Sequence, residues 1–205
     1  MDDFKNAWKK KSVFDKQLLL NKKELDNSYP EHWQFFLSAI EQLNLNNTPT
    51  TLRDIGCGCG AYSELISRHH PYICYIGYDY SEEAIHLARQ TWPKASFETL
   101  DYKEFTPLNF ENGEIMHASG LHNILPNGDE CMDFLLSLNP KCAIFERLLL
   151  TDKQSYCETY LAYDEITTYY FFHNRDSLFN MFKKYQYEIT ETSPVGSSIN
   201  VLLRK

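Results

Sequence analysis

Three glycines stand at alternate positions, Gly56, Gly58 and Gly60, in the segment LRDIGCGCGAYSELISR (52–68). Ordered glycine loses more backbone entropy than any other residue, so three together indicate positive φ angles or a ligand close to the backbone. The apolar residues before the glycines predict a strand, and the spacing after them predicts a helix. A glycine-rich turn of this kind binds nucleotides in doubly wound folds. The segment therefore predicts a ligand-binding turn.

The remaining chain alternates between strand and helix patterns. Strands are predicted at YICYIGYDY, ASFETLD, GEIMHAS and KCAIFERLLLT, and Ser81 is the predicted N-cap of the helix EEAIHLARQTW. YEIT and SINVLLRK predict two closing strands. Alternating strands and helices predict an α/β fold, a doubly wound and mostly parallel sheet covered on both faces.

The N-terminal part carries helical patterns before the first strand. Trp33, Phe36, Ile40 and Leu43 recur at intervals of three and four residues after a proline, which predicts an amphipathic helix. One or two further helices are predicted earlier, from Phe4, Trp8, Phe14 and Leu18. The predicted organisation is a helical cap over residues 1–48 and a second domain over 49–205.

Composition and charge restrict the kinds of molecule that the chain can bind and the cellular location that we expect for it. The chain has 205 residues and a formal net charge of -8, without a large basic cluster, so a nucleic-acid substrate is disfavoured. No segment is apolar enough for a membrane helix or a secretory signal. The six cysteines predict reduced thiols and a cytoplasmic location, and the Cys57-x-Cys59 pair lacks the spacing of a metal site.

The glycine turn alone leaves two ligands open. Gly56-x-Gly58-x-x-Ala61, with Asp79 downstream, satisfies the fingerprint of NAD-dependent oxidoreductases. The sequence Asp54-Ile-Gly56-Cys-Gly58-Cys-Gly60 also resembles the acid-x-Gly-x-Gly-x-Gly motif of class I S-adenosylmethionine-dependent methyltransferases. YIGYDYSEEAIHLAR and FETLDY resemble two further segments of that family. We favour the methyltransferase and keep the oxidoreductase as the less favoured alternative.

The resemblance implies a Rossmann-like sheet of seven strands, the last of them antiparallel, and S-adenosylmethionine as cofactor. It implies that Asp79 accepts hydrogen bonds from the ribose hydroxyls, with Tyr80 against the adenine. Asp101 would lie near the adenine amino group with Tyr102 beside it, and Ser119 near the methionine end. The full predicted cofactor set is Asp54, Gly56, Cys57, Gly58, Gly60, Asp79, Tyr80, Asp101, Tyr102 and Ser119.

Two histidines are candidate catalytic bases. His122 follows the fourth predicted strand, where related enzymes often place a pocket-facing histidine or acid, and His173 precedes the last long helix. A base would assist a hydroxyl acceptor, whereas a neutral amine needs none. Glu146 and Arg147 could bind substrate or form an ordinary surface ion pair.

The predicted function is methyl transfer to a small molecule. In the small-molecule methyltransferases that this chain resembles, an N-terminal helical segment folds over the cofactor and walls the acceptor pocket. The alternative is a helix pair that only packs on the sheet. An aromatic, acidic pocket would suit a sugar or nucleotide-sugar hydroxyl, or an amine. A protein or RNA methyltransferase and a non-catalytic S-adenosylmethionine-binding subunit stay open.

Overall fold

The computed structural model describes residues 6–46, 48–110, 112–195 and 198–205; Phe4 of the predicted N-terminal helix lies outside them. The main α-helices are α1 (Lys11–Asp26), α2 (Glu31–Gln42), α3 (Ala61–His69), α4 (Glu82–Thr91), α5 (Gly128–Ser137) and α6 (Arg175–Lys184). The strands are β1 (Thr50–Ile55), β2 (Ile73–Asp79), β3 (Ser96–Thr99), β4 (Ile115–Ser119), β5 (Cys142–Thr151), β6 (Tyr156–Ala162), β7 (Ile166–Asn174), β8 (Glu188–Val195) and β9 (Ser198–Arg204). The predicted α/β alternation is confirmed.

All the strands belong to one sheet, whose first five strands lie in the order β3-β2-β1-β4-β5 and are parallel. β9 runs antiparallel along most of β5 and pairs with β8, which confirms the closing hairpin. The prediction of seven strands is corrected to nine within the part of the chain that the structure describes. The two extra strands form the hairpin β6–β7, whose second strand runs parallel to the end of β5 over residues 149–151.

The glycine turn adopts the backbone that its sequence predicted. Gly56, Gly58 and Gly60 have φ angles of 77°, 52° and 75°, values that residues with a Cβ rarely adopt. A Cβ on Gly60 would also lie 2.5 Å from the Phe97 ring. The turn therefore requires glycine both for its conformation and for its packing, and it leads from β1 directly into α3.

Two apolar clusters cover the faces of the sheet. One cluster packs α2, α3 and α4 against it and contains the fully buried side chains of Phe36 and Ile40. The other packs α5 and α6 on the opposite face. The buried face of α2 confirms the predicted amphipathic helix. α1 belongs to a smaller cluster in which Phe14 and Leu18 pack on Cys59 and Ala84, next to the glycine turn.

Candidate active site

Two cavities lie at the carboxyl ends of β1, β2 and β4, and Gly56 lines both of them. The first, here called the Asp79 cavity, has a volume of about 50 Å³ and is lined by Asp79, Tyr80, Asp101, Tyr102, four aliphatic side chains and Trp8. The second, called the Arg147 cavity, has a volume of about 140 Å³. Its lining comprises Gln17, Leu20, Asn21, Glu24, His32, Trp33, Asp54, Cys57, Ala61, Tyr62, Ser119, Arg147 and Tyr163.

Asp79 ends β2 and is fixed by the backbone around it. Its Oδ2 accepts a hydrogen bond of 3.0 Å from the Gly58 amide, and its Oδ1 accepts one of 2.9 Å from the Ser81 amide. Loss of solvent raises the pKa of Asp79 to about 6, against the two amide bonds, which lower it. The carboxylate is therefore charged at neutral pH, and its oxygens have capacity for further donors.

The other predicted residues of the Asp79 cavity form an aromatic and apolar slot. Asp101 caps a short 3₁₀ turn, where its Oδ1 accepts a bond of 3.1 Å from the Lys103 amide. Tyr102 packs edge-on against Phe134, with ring centroids 5.7 Å apart. A slot with apolar walls and carboxylates at its border can hold a flat heterocycle and bind its amino and hydroxyl donors.

Both predicted cofactor residues and residues that were not predicted line the Arg147 cavity. Of the predicted set, Asp54, Gly56, Cys57 and Ser119 line it. Gly58 and Gly60 line neither cavity; Gly58 lies under the Gln17 side chain, and Gly60 is the N-cap of α3. Sequence reasoning missed Gln17, Glu24, His32, Tyr62 and Tyr163, which come from α1, α2, α3 and the β6–β7 turn.

A buried hydrogen-bond network lies beneath this cavity. His117 in β4 is fully buried, with its Nδ1 2.7 Å from Asp54 Oδ1 and its Nε2 3.1 Å from Glu146 Oε2. The Tyr62 hydroxyl donates to the same Glu146 oxygen and lies 2.9 Å from Ser119 Oγ. Glu146 is therefore a buried network member, which excludes the surface ion pair considered from the sequence.

Charge alternates along this network. Burial alone would lower the pKa of His117, but the charges and hydrogen bonds of Asp54 and Glu146 raise it to about 9. A cation thus lies between two carboxylates at neutral pH. Burial, and then the Glu146 charge, raise the pKa of Tyr62 well above its usual value, so this hydroxyl stays protonated.

The two predicted histidine bases line neither of these two cavities. His122 and His173 are fully buried, and their ring centroids are 5.6 Å apart. His122 Nε2 lies 3.1 Å from the Glu146 carbonyl oxygen, and His173 Nδ1 lies 2.7 Å from Asp129 Oδ1. Burial lowers the pKa of His122 well below 6.5. Neither imidazole lines a cavity through which it would contact an acceptor.

Other parts of the surface carry larger concavities. One of about 540 Å³ is lined by residues such as Ser63 and Trp92, and one of about 670 Å³ by residues such as Asp129 and Asn174. None of the predicted cofactor residues lines either. Within the described residues, no group of three or more potential ligands could hold a metal ion, and no helix is long and apolar enough to cross a membrane.

Residues 53–137 match a family model described as a methyltransferase domain. That range contains the glycine turn and the acids at the ends of β2 and β3, so the match includes every residue that lines the Asp79 cavity except Trp8. This part of the chain is therefore a methyltransferase domain. The cofactor is accordingly S-adenosylmethionine, and the Asp79 carboxylate, the glycine turn and the aromatic slot fit a nucleoside with an amino-acid chain.

Solved structures similar to this methyltransferase have the same fold. An S-adenosylmethionine-dependent methyltransferase from Clostridium acetobutylicum is 13% identical over 93% of this chain and 98% of its own, with a TM-score of 0.65. Magnesium protoporphyrin IX methyltransferase from Synechocystis, solved with S-adenosylmethionine bound, is 15% identical over 84% of this chain and 77% of its own, with a TM-score of 0.57. No curated protein matches the chain in sequence.

Proposed function

We propose that this methyltransferase acts on a small-molecule acceptor, a sugar or nucleotide-sugar hydroxyl or an amine, bound in the Arg147 cavity. The observation that carries the proposal is the cover over that cavity, because α1 and α2 contribute Gln17, Asn21, Glu24, His32 and Trp33 to its lining. An enclosed site holds a small acceptor in near-attack geometry and excludes water. An RNA or a folded protein surface would need a more open groove.

The proposed cofactor placement follows the strand ends. Asp79 would accept the ribose hydroxyls, Tyr80 and Tyr102 would flank the adenine near Asp101, and the backbone at Gly56 and Cys57 would border the methionine part. Ser119 would lie near its sulfonium end. The bound cofactor supplies an electrophilic methyl group, so the protein's part is to bind, orient and exclude water.

His32 is a cavity group that faces the proposed acceptor. Burial, and then the Arg147 charge, lower the pKa of His32 to about 4. The imidazole is therefore neutral at pH 7 and can accept a hydrogen bond from an acceptor hydroxyl. So low a pKa favours positioning of the acceptor over strong general-base catalysis.

We further propose that the segment 6–26 is a lid. Gln17 Oε1 accepts a hydrogen bond of 3.2 Å from the Cys59 amide in the glycine turn. Trp8 lines the Asp79 cavity and donates from Nε1 to Thr168 Oγ1 over 3.1 Å. The segment thus covers both cavities, and the cofactor would enter and leave when these contacts open.

Replacement of Trp8 by alanine tests the lid. We expect Trp8→Ala to raise the dissociation rate of S-adenosylhomocysteine about tenfold, because an aromatic contact and a hydrogen bond together contribute about 1 to 1.5 kcal/mol. Stopped-flow fluorescence would measure the rate. Leu19→Ala, at a position 72% exposed on α1, is the matched control and should leave the rate unchanged. A wild-type rate in Trp8→Ala would show that the segment only packs on the sheet.

The proposed function is tested in two steps. Calorimetric titration should show micromolar binding of S-adenosylhomocysteine and no binding of NAD or NADP. S-adenosylhomocysteine production is then measured with S-adenosylmethionine and panels of sugars, nucleotide sugars and amines, and we expect turnover with one class. Binding without turnover on any small acceptor, but with turnover on protein or RNA, would contradict the small-molecule proposal. Binding without any turnover would indicate a non-catalytic subunit.

A further inference from the structure

Arg147 occupies an irregular position in β5. The register between β5 and β9 shifts between Phe145 and Leu148, which places Arg147 on a β-bulge. Its φ angle is 61°, in the left-handed region that arginine rarely adopts. Bulges and strained residues of this kind cluster at functional sites, where they redirect a side chain.

Two asparagines hold this backbone in place. The Arg147 amide donates to Oδ1 of the fully buried Asn200 over 2.8 Å. The Arg147 carbonyl accepts a bond of 2.8 Å from Asn123 Nδ2. The strain is therefore maintained by specific contacts from β9 and from the loop after β4, and it is not a consequence of a loose chain.

The guanidinium of Arg147, like its backbone, is held in place by specific contacts. Arg147 Nη2 donates to the Ser119 carbonyl oxygen over 2.8 Å. It lies against Gly120, where a Cβ would be only 2.5 Å from Nη2, so the absence of a side chain at Gly120 makes room for it. A guanidinium has five N–H donors, and most of them are not needed for this one bond.

The strand order places this group on the acceptor side of the cofactor site. Asp79 ends β2 and the glycine turn follows β1, whereas Ser119 ends β4 and Arg147 lies in β5, the next strand. Neighbouring strands are about 4.8 Å apart, so β5 is about 10 Å from β1. A cofactor that extends from Asp79 to Ser119 would direct its methyl group toward β5. Arg147 would then lie beyond that methyl group.

We propose that the guanidinium of Arg147 binds an anionic group, a phosphate or a carboxylate, on the methyl acceptor. Among the described residues that line the cavity, Arg147 is the one side chain that is always charged positively. Planar guanidinium donors match the oxygens of such anions in pairs. On a protein with a net charge of -8, this placement would select an anionic acceptor locally. The inference rests on the proposed function and refines its acceptor class.

The test uses the full chain loaded with S-adenosylhomocysteine. Inorganic phosphate and, separately, acetate are titrated at constant ionic strength while the amide NMR signals of Ser119, Gly120 and Arg147 are followed. We expect saturable shifts with at least one anion at millimolar affinity, and the stronger of the two identifies phosphate or carboxylate as the preferred group. Arg147→Gln should weaken this binding at least tenfold, and Arg147→Lys should retain part of it.

Two controls separate the outcomes. Arg175→Gln removes an exposed arginine outside the cavity lining and should bind both anions as the wild type does. Arg147→Gly tolerates the left-handed backbone and should lose anion binding with the fold intact. The inference is overturned if neither anion shifts these signals, or if Arg175→Gln weakens anion binding as much as Arg147→Gln does. It is also overturned if Arg147→Gln weakens the binding of S-adenosylhomocysteine tenfold. Failure of the wild type to bind S-adenosylhomocysteine would instead overturn the proposed function.

Discussion

Glu146→Ala is expected to lower the free energy of unfolding by about 3 to 5 kcal/mol, the usual loss when one partner is removed from a buried ion pair. The substitution leaves His117 buried with a single carboxylate, Asp54, and removes the acceptor of the Tyr62 hydroxyl. Urea unfolding followed by circular dichroism at pH 7 would measure the loss.

The matched control is another glutamate of the same sheet. Glu158 lies on β6 with its side chain exposed, so Glu158→Ala should change stability by less than about 0.5 kcal/mol. Glu146→Gln keeps the size of the side chain but removes its charge. Its loss in free energy of unfolding should lie between the losses of the control and of Glu146→Ala. A loss in Glu146→Ala no larger than that of the control would show that the network does not stabilise the fold.

The same network predicts how stability depends on pH. The pKa of His117 is raised from 6.5 to about 9 in the folded protein. A raised histidine pKa stabilises the fold fully below the unfolded pKa, and this contribution is lost as the pH rises through the folded value. We therefore expect the free energy of unfolding to fall between pH 7 and pH 10. In Glu146→Gln, which has one carboxylate fewer beside His117, the fall should begin at a lower pH.

Asp79→Ala is expected to weaken S-adenosylhomocysteine binding by about 1 to 3 kcal/mol, because buried hydrogen-bond donors of the ribose would lose their acceptor. This corresponds to about a 5- to 150-fold rise in the dissociation constant measured by calorimetry. Glu83→Ala, an exposed acid in the first turn of α4, is the control and should bind as the wild type does. Unchanged affinity in Asp79→Ala would remove the ribose assignment.

The raised pKa of Asp79 adds a pH dependence to that binding. The carboxylate form accepts hydrogen bonds at all its lone pairs, and protonation below about pH 6 converts one oxygen into a donor. Affinity for S-adenosylhomocysteine should therefore decrease as the pH falls from 7 to 5. Asp79→Asn should bind S-adenosylhomocysteine more weakly, with an affinity that does not change over the same pH range. An equally steep fall of affinity in that variant would assign the effect to another group.

The sequence predicted the glycine turn and the strand that ends at Asp79 because their signals are local. The positive φ angles follow from the glycines themselves, and Asp79 is the last residue of a strand that its own apolar residues predict. The β6–β7 hairpin was missed although Tyr, Thr and Phe are frequent in residues 166–172, a composition typical of strands.

The lining of the Arg147 cavity could not be predicted because contacts between distant segments form it. Tyr62, His117 and Glu146 come from three elements, and nothing in their spacing brings their side chains together. The position of Arg147 depends on a register shift against β9, which lies about fifty residues later in the chain. His122 has the chain position of a pocket residue, but its side chain packs beneath β5, where burial and the Glu146 carbonyl fix it.

β5 pairs with two strands that belong to different hairpins, β7 of the β6–β7 hairpin and β9 of the β8–β9 hairpin. Because β9 borders most of β5 while β7 joins only its end, we expect that the β6–β7 hairpin can change in length without disturbing β1, β2 and β4. The turn of that hairpin brings Tyr163 to the Arg147 cavity, and Lys16 of α1 pairs with Glu165 beside it over 3.1 Å. If the Arg147 cavity binds the acceptor and α1 is a lid, as proposed, exchange of this hairpin between related chains would alter acceptor choice and lid closure together and leave the Asp79 cavity unchanged.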